Sequence, residues 1–244
     1  MKKVIFMLLG LVLIGAGLAS CGGGASTKVR VATDATWPPF ESVNDQTKQI
    51  EGFDIDFMNA VAAKENLNIE YINVAFDPLL AGMAQGTYDA AISSITITED
   101  RKKDMLFSDP YYAAGQIVVV LKSNTTVNSK NDLTGSVGAQ LGTTGAMEVQ
   151  KITTATLKTY DDIGLAFQDL MNGQITAVVC DNPVAVQYVN QNPDKLKLAG
   201  TVFTNEYYGI VFRKGDVSVK KVNEILSSLR IKGILTDLKQ KWLD

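Results

Sequence analysis

The chain has 244 residues, with 23 basic and 26 acidic side chains, a formal charge of −3, two cysteines and no histidine. A weakly acidic balance without a basic stripe argues against nucleic acid as a partner. The lack of histidine removes Ser-His-Asp and Cys-His catalysis and the common zinc sites, and no metal or cofactor is expected.

At the N-terminus, Lys2 and Lys3 precede an uncharged apolar run over residues 4–19. It is shorter than the roughly 20 residues a membrane-spanning helix needs. A charged start, an apolar stretch and the small-residue close Leu18-Ala19-Ser20-Cys21 read as a secretory signal over residues 1–20. That close resembles the lipobox of bacterial lipoproteins, which implies a lipid on Cys21. Gly22-Gly23-Gly24-Ala25-Ser26 then gives a flexible tether over 21–27. With Cys21 lipidated, Cys180 has no partner, and an exported body without a disulfide depends on its core alone. Cys180 is expected to be a small buried apolar residue.

After the tether, strands are predicted at 29–33, 69–74 and 90–93, with helices at 54–67 and 79–85. A strand at 116–121 follows, centred on Val118-Val119-Val120. A second series places strands at 136–139, 156–159 and 177–180 around helices at 144–152 and 161–172. A strand at 208–212 and helices at 217–232 and 235–242 close the chain. This alternation predicts α/β architecture with parallel sheets, and ligands in such sheets bind in loops at the carboxyl ends of strands.

Three of those loops carry chemistry suited to a zwitterion, which needs donors and acceptors side by side. Ser93-Ser94-Ile95-Thr96-Ile97-Thr98-Glu99-Asp100-Arg101 follows a strand and ends in a charged turn. Arg101 can grip a carboxylate with two parallel hydrogen bonds, although residues 99–103 also read as a solvated charge run. Gln140-Leu141-Gly142-Thr143-Thr144-Gly145 precedes a helix whose first N–H groups can face an anion, or which the threonines merely cap. Cys180-Asp181-Asn182-Pro183 sets an acid at a strand end, to pair with an ammonium or to cap the next helix.

Taken together, these loops resemble family-3 solute-binding proteins, the polar amino-acid receptors of ABC importers. Val31-Ala32-Thr33-Asp34 with Pro39-Phe40-Glu41, then Gly52-Phe53-Asp54-Ile55-Asp56, match the family's opening segments. Ser94-Ile95-Thr96-Ile97-Thr98 leading to Arg101, Phe107-Ser108-Asp109-Pro110-Tyr111, Gly142-Thr143-Thr144 and Asp181 follow in order. The resemblance implies a two-lobed, periplasmic-binding-protein-like fold of type II, each lobe a mainly parallel sheet flanked by helices. Residues 28–113 and 207–244 would form one lobe and 114–206 the other, with a hinge of two crossing strands near 112–116 and 205–209.

It also implies residue roles. Arg101, with the backbone N–H groups of Thr96 and Thr144, would hold a ligand carboxylate. Asp181, the Ser94 carbonyl and the Thr96 hydroxyl would hold the ammonium. Trp37 and Phe76 would enclose the side chain, and Asp34, Ser93, Gln140 and Thr143 would meet its far end. One carboxylate, neutral hydrogen-bonding groups and two aromatic faces suit a planar cation, so arginine leads, then lysine or histidine, with glutamine as the alternative. The expected protein is an exported monomer, lipid-anchored at the outer face of the cell membrane, that delivers an amino acid to an ABC permease. Two other classes stay open: a dehydratase-like enzyme and a ligand-sensing module on the same fold.

Overall fold

The computed structural model describes residues 28–243, so the expected signal, the tether and Cys21 lie outside the described residues. β1 (Val29–Thr33) buries three consecutive residues, Val31 to Thr33, as a strand covered on both faces does. A small antiparallel sheet follows, of β2 (Thr36–Trp37), β3 (Glu41–Val43) and β4 (Ile50–Glu51). Its strands are two or three residues long, too short for a period-2 pattern to register. Next come α1 (Phe53–Lys64), β5 (Ile69–Asn73), α2 (Phe76–Ala84), β6 (Ala90–Ala91), β7 (Met105–Phe107) and β8 (Tyr112–Ala114).

The second series contains β9 (Gln116–Leu121), β10 (Gly135–Gln140), α3 (Thr144–Gln150), β11 (Ala155–Tyr160) and α4 (Ile163–Met171). It continues with β12 (Ala177–Asp181), α5 (Asn182–Gln191) and β13 (Leu196–Ala199). The chain returns through β14 (Glu206–Tyr208) and β15 (Val211–Arg213) to α6 (Ser218–Ile231) and α7 (Ile234–Trp242).

The strands form two five-stranded sheets, ordered β5-β1-β6-β15-β7 and β11-β10-β12-β9-β13, one per lobe. β8 and β14 pair antiparallel to each other, separate from both sheets. Parallel pairing holds for β5-β1-β6 and β11-β10-β12. Each sheet is nevertheless mixed, because β15 and β9 run antiparallel to both their neighbours. Helical crossovers within a lobe produce parallel neighbours, whereas β9 and β15 enter from the opposite lobe and arrive in the other direction.

One predicted strand, 208–212, is two elements in the structure: β14 belongs to the crossing pair and β15 to the first sheet. Gly209 lies between them, where a Cβ would stand 3.0 Å from the Ile97 side chain. The switch between sheets needs that close approach. Phe40 lies edge-on to Tyr208, with ring centroids 5.4 Å apart, and Phe53 stacks on Tyr111 at 6.3 Å. In the second lobe Phe167 stacks on Tyr188 at 3.9 Å. Burying side chains of this size contributes roughly 2–3 kcal/mol each. Close packing makes each lobe stiff and leaves the crossing strands as the place where the molecule can bend.

Candidate functional site

One cavity is lined by Asp34, Trp37, Phe76, Ser93, Ser94, Thr96 and Arg101 from the first lobe. Gln140, Thr143, Thr144 and Asp181 line it from the second. The structure therefore brings every ligand-site residue expected from the sequence to one place.

At one end stands Arg101. The charge run divides there: Lys102 pairs with Glu99 at 2.8 Å and Lys103 with Asp100 at 2.6 Å on the surface, while Arg101 turns inward and is 7% exposed. Its Nη1 donates to the Thr96 carbonyl at 2.7 Å, and its Nη2 crosses to the Gly142 carbonyl at 2.9 Å. The guanidinium carbon lies 5.4 Å from the Phe76 ring centroid, a cation–π contact. Burial lowers the Arg101 pKa to about 10, against the pull of Asp181 and Glu206, so the group stays charged at neutral pH.

Beside it, Ser94 adopts φ 48°, a left-handed conformation that costs a non-glycine residue about 1–3 kcal/mol. Asp54 holds it there, with Oδ2 accepting from the Ser94 amide at 2.7 Å. Asp181 sits at the start of α5 but makes no capping bond with its side chain. Instead its Oδ1 accepts from Gln116 Nε2 at 2.6 Å and its Oδ2 from the Tyr208 hydroxyl. Burial, reinforced by the charge of Glu206, raises the Asp181 pKa to about 7. Of the two roles open to Asp181 in the sequence, capping is thus not taken up.

At the far end, Asp34 Oδ1 accepts from Thr36 Oγ1 at 2.9 Å and Oδ2 from Gln140 Nε2 at 2.7 Å. Burial raises its pKa to about 6. Gln140 Nε2 also donates to the Asp161 carbonyl at 2.8 Å. Both amide hydrogens are then committed, and the amide oxygen is left as an acceptor. Ser93 Oγ accepts from the Asp34 amide at 2.9 Å and donates to Glu41 at 3.2 Å, so it too keeps only acceptor capacity. Thr143 caps α3, accepting from the Ala146 amide at 3.2 Å and donating to the Gln140 carbonyl at 2.7 Å. Its proton is therefore spent on the loop, and the hydroxyl, like that of Ser93, keeps only acceptor capacity. Trp37 and Phe76 are both buried in the wall.

Sequence reasoning missed a set of buried polar residues behind this wall. Glu206 and Gln116 lie on the crossing side of the cavity, and Glu41 and Asp54 lie behind Ser93 and Ser94. One signal was available: Gln116 opens an otherwise apolar strand, and a buried polar residue there calls for a partner.

A sequence model of the bacterial extracellular solute-binding proteins, family 3, matches residues 29–244. A probable histidine-binding protein of Neisseria gonorrhoeae is 37% identical over 88% of this chain and 87% of its own. An ancestral arginine-binding protein bound to arginine superposes with a TM-score of 0.85 at 40% identity, covering 89% of this chain and 98% of that one. Bound to glutamine, an ancestral arginine-binding protein gives a TM-score of 0.83, 40% identity, and coverage of 88% and 97%. The arginine-, lysine-, histidine-binding protein of Geobacillus stearothermophilus gives 0.83 at 38% identity, covering 88% and 94%.

Proposed function

The chain belongs to the bacterial extracellular solute-binding proteins, family 3, and from that premise we propose that its cavity captures one free L-amino acid, arginine in preference to others. The observation that carries the choice of arginine is the acceptor-only far end. The Asp34 carboxylate, the Gln140 amide oxygen and the Ser93 hydroxyl oxygen face a ligand with no hydrogen left to give. A guanidinium brings donors alone and satisfies all three. The side-chain carbonyl of glutamine meets no donor there, and a buried carbonyl left unpaired costs about 1–3 kcal/mol.

At the near end, Arg101 and the backbone N–H groups of Thr96 and Thr144 take the ligand carboxylate. Asp181, the Ser94 carbonyl and the Thr96 hydroxyl take the ammonium. On this reading the lobes are residues 28–113 with 207–244, and 114–206, and the grouping of the strands into two five-stranded sheets supports that division. Arg101 and Asp34 belong to the first and Asp181 and Gln140 to the second, so a single zwitterion satisfies its partners only when the lobes close. Binding shifts the population to that form. The closed form is then what an ABC permease receives at the extracytoplasmic face. On the same reading the site holds its ligand without transforming it, and Cys21 carries the lipid that tethers the body.

Titration calorimetry with each common L-amino acid, on protein unfolded and refolded to strip bound ligand, tests this reading. Strong heat from arginine with weaker responses from lysine or histidine supports it. Tight binding of glutamine alone overturns the far-end assignment and keeps the receptor. No heat from any amino acid, or a product peak after incubation, overturns the receptor itself.

A further inference from the structure

Glu206 lies on β14, 9% exposed, and does not line the cavity. Four donors nevertheless converge on it. Oε2 accepts from Thr144 Oγ1 at 2.7 Å and Thr96 Oγ1 at 2.9 Å and Oε1 from Thr204 Oγ1 at 2.7 Å, while Gln116 Nε2 stands 3.3 Å from Oε2 and shares its two hydrogens among Glu206, Thr144 and Asp181. Such convergence suits a carboxylate, which only accepts. The two threonines come from opposite lobes, and both do line the cavity.

A hydroxyl has one proton and two acceptor lone pairs. Once Thr96 and Thr144 give their protons to Glu206, what remains of each is acceptor capacity. Thr144 further accepts from Gln116 Nε2 at 3.1 Å, the nitrogen that also bonds Asp181. Tyr208 gives its proton to Asp181 in the same way. The Thr96, Thr144 and Tyr208 hydroxyls are thus turned proton-outward, the two threonines onto Glu206 and the tyrosine onto Asp181.

We propose that Glu206 is a positioning residue for the ammonium end of the site, holding the Thr96 and Thr144 hydroxyls as acceptors so that the cavity selects a ligand bearing an α-ammonium group. The inference rests on the amino-acid reading of the cavity and extends it to a residue that never touches the ligand. An α-ammonium brings three donors to an end built from acceptors. A des-amino or α-hydroxy analogue brings none or one, and leaves buried lone pairs unpaired. Glu206 therefore sets how strongly the amino group itself is demanded, separately from the grip on the carboxylate.

The test compares L-arginine with 5-guanidinopentanoic acid, its des-amino analogue, by calorimetry on the wild-type protein and on Glu206→Gln. Gln has the same shape as Glu but a single acceptor oxygen and no charge, so whichever way its amide is turned Thr96 and Thr144 lose the charged acceptor that holds their protons away from the cavity. The expected result is a loss of at least tenfold in arginine affinity with less than threefold change for the analogue. Thr96→Val should reproduce that selective loss. Because Glu206 acts through Thr96, the double variant should lose no more than the larger single loss. Equal losses for both ligands in Glu206→Gln overturn the proposal, as does unchanged arginine affinity. If Glu206→Gln fails to fold, Thr96→Val decides: a selective loss supports the proposal and an unselective one overturns it. Wild-type protein that binds no amino acid overturns this inference and the reading beneath it together. Wild-type binding with an unselective variant overturns only the role of Glu206.

Discussion

Asp34 and Gln140, separated by 106 positions in the chain, meet side chain to side chain at 2.7 Å across the two lobes. The contact does two things at once. It helps hold the lobes together, and it turns the Gln140 amide so that its oxygen is the atom left for a ligand. Asp34 is the carboxylate of the far end, so Asp34→Asn should weaken arginine binding by about 2 kcal/mol or more, since removing one charge of a buried pair strands the other. Citrulline, the neutral isostere, should be nearly indifferent to the change. Calorimetry with both ligands checks this, and equal losses would remove Asp34 from the far-end role.

Arg101 is the other proposed anchor. Its guanidinium reaches two backbone carbonyls and the Phe76 face from a position 7% exposed. Arg101→Ala should cost at least about 2 kcal/mol of binding for every amino acid that binds, because the carboxylate is common to all. Arg101→Lys should recover only part of it, as an ammonium lacks the planar fork. Near-native affinity in the alanine variant, measured by calorimetry, would sink the carboxylate assignment.

The raised pKa values of Asp181, to about 7, and Asp34, to about 6, make binding pH-dependent. A cationic ligand needs both groups ionised. Affinity for arginine should therefore fall by tenfold or more between pH 8 and pH 5, by mass action on the protonated carboxylates. The sign for the unliganded protein is opposite. Both groups hold protons in the folded state that the unfolded chain, titrating near 4, has already released. Their contribution to stability is fully present below about pH 4 and is lost as pH rises to about 7. Melting curves with and without arginine at pH 5 and pH 8 should thus show a much larger ligand-induced rise at pH 8. An equal rise at both would refute the assignment.

Gly142 has φ 78°, and a Cβ there would lie 3.0 Å from Asp77 Oδ1 and 3.2 Å from Asp77 Cβ, on the opposite lobe. Gly142→Ala adds left-handed strain of about 1–3 kcal/mol in any state. The clash with Asp77 is added only when the lobes are closed. Arginine affinity should drop about tenfold, and small-angle scattering at saturating ligand should confirm that a closed form is still reached. Asp77→Gly in the same protein should restore part of the affinity. Restoration absent, the contact with Asp77 does not oppose closure.

The elements and most of the candidate site were legible because their signals are local. Apolar strands such as residues 116–121, and loops in which Arg101, Asp181 and Gln140 follow strand ends, can be recognised within about ten positions of sequence. The short strands β2 to β4, β7 and β13 were not, since two to four residues carry no period. Nor was the break of residues 208–212 into β14 and β15, because one apolar stretch serves two sheets.

What the sequence determined by itself is the α/β class and the set of polar and aromatic side chains that line the cavity, for these depend on residue type and near-neighbour spacing. Only the tertiary structure decided which atoms of those side chains remain free. Gln140 shows its oxygen because Asp34 and the Asp161 carbonyl take its hydrogens, and Thr96 keeps its lone pairs because Glu206, on a distant strand, takes its proton. Hydrogen-bond direction is fixed by partners brought together from far along the chain, and each proton can be given only once.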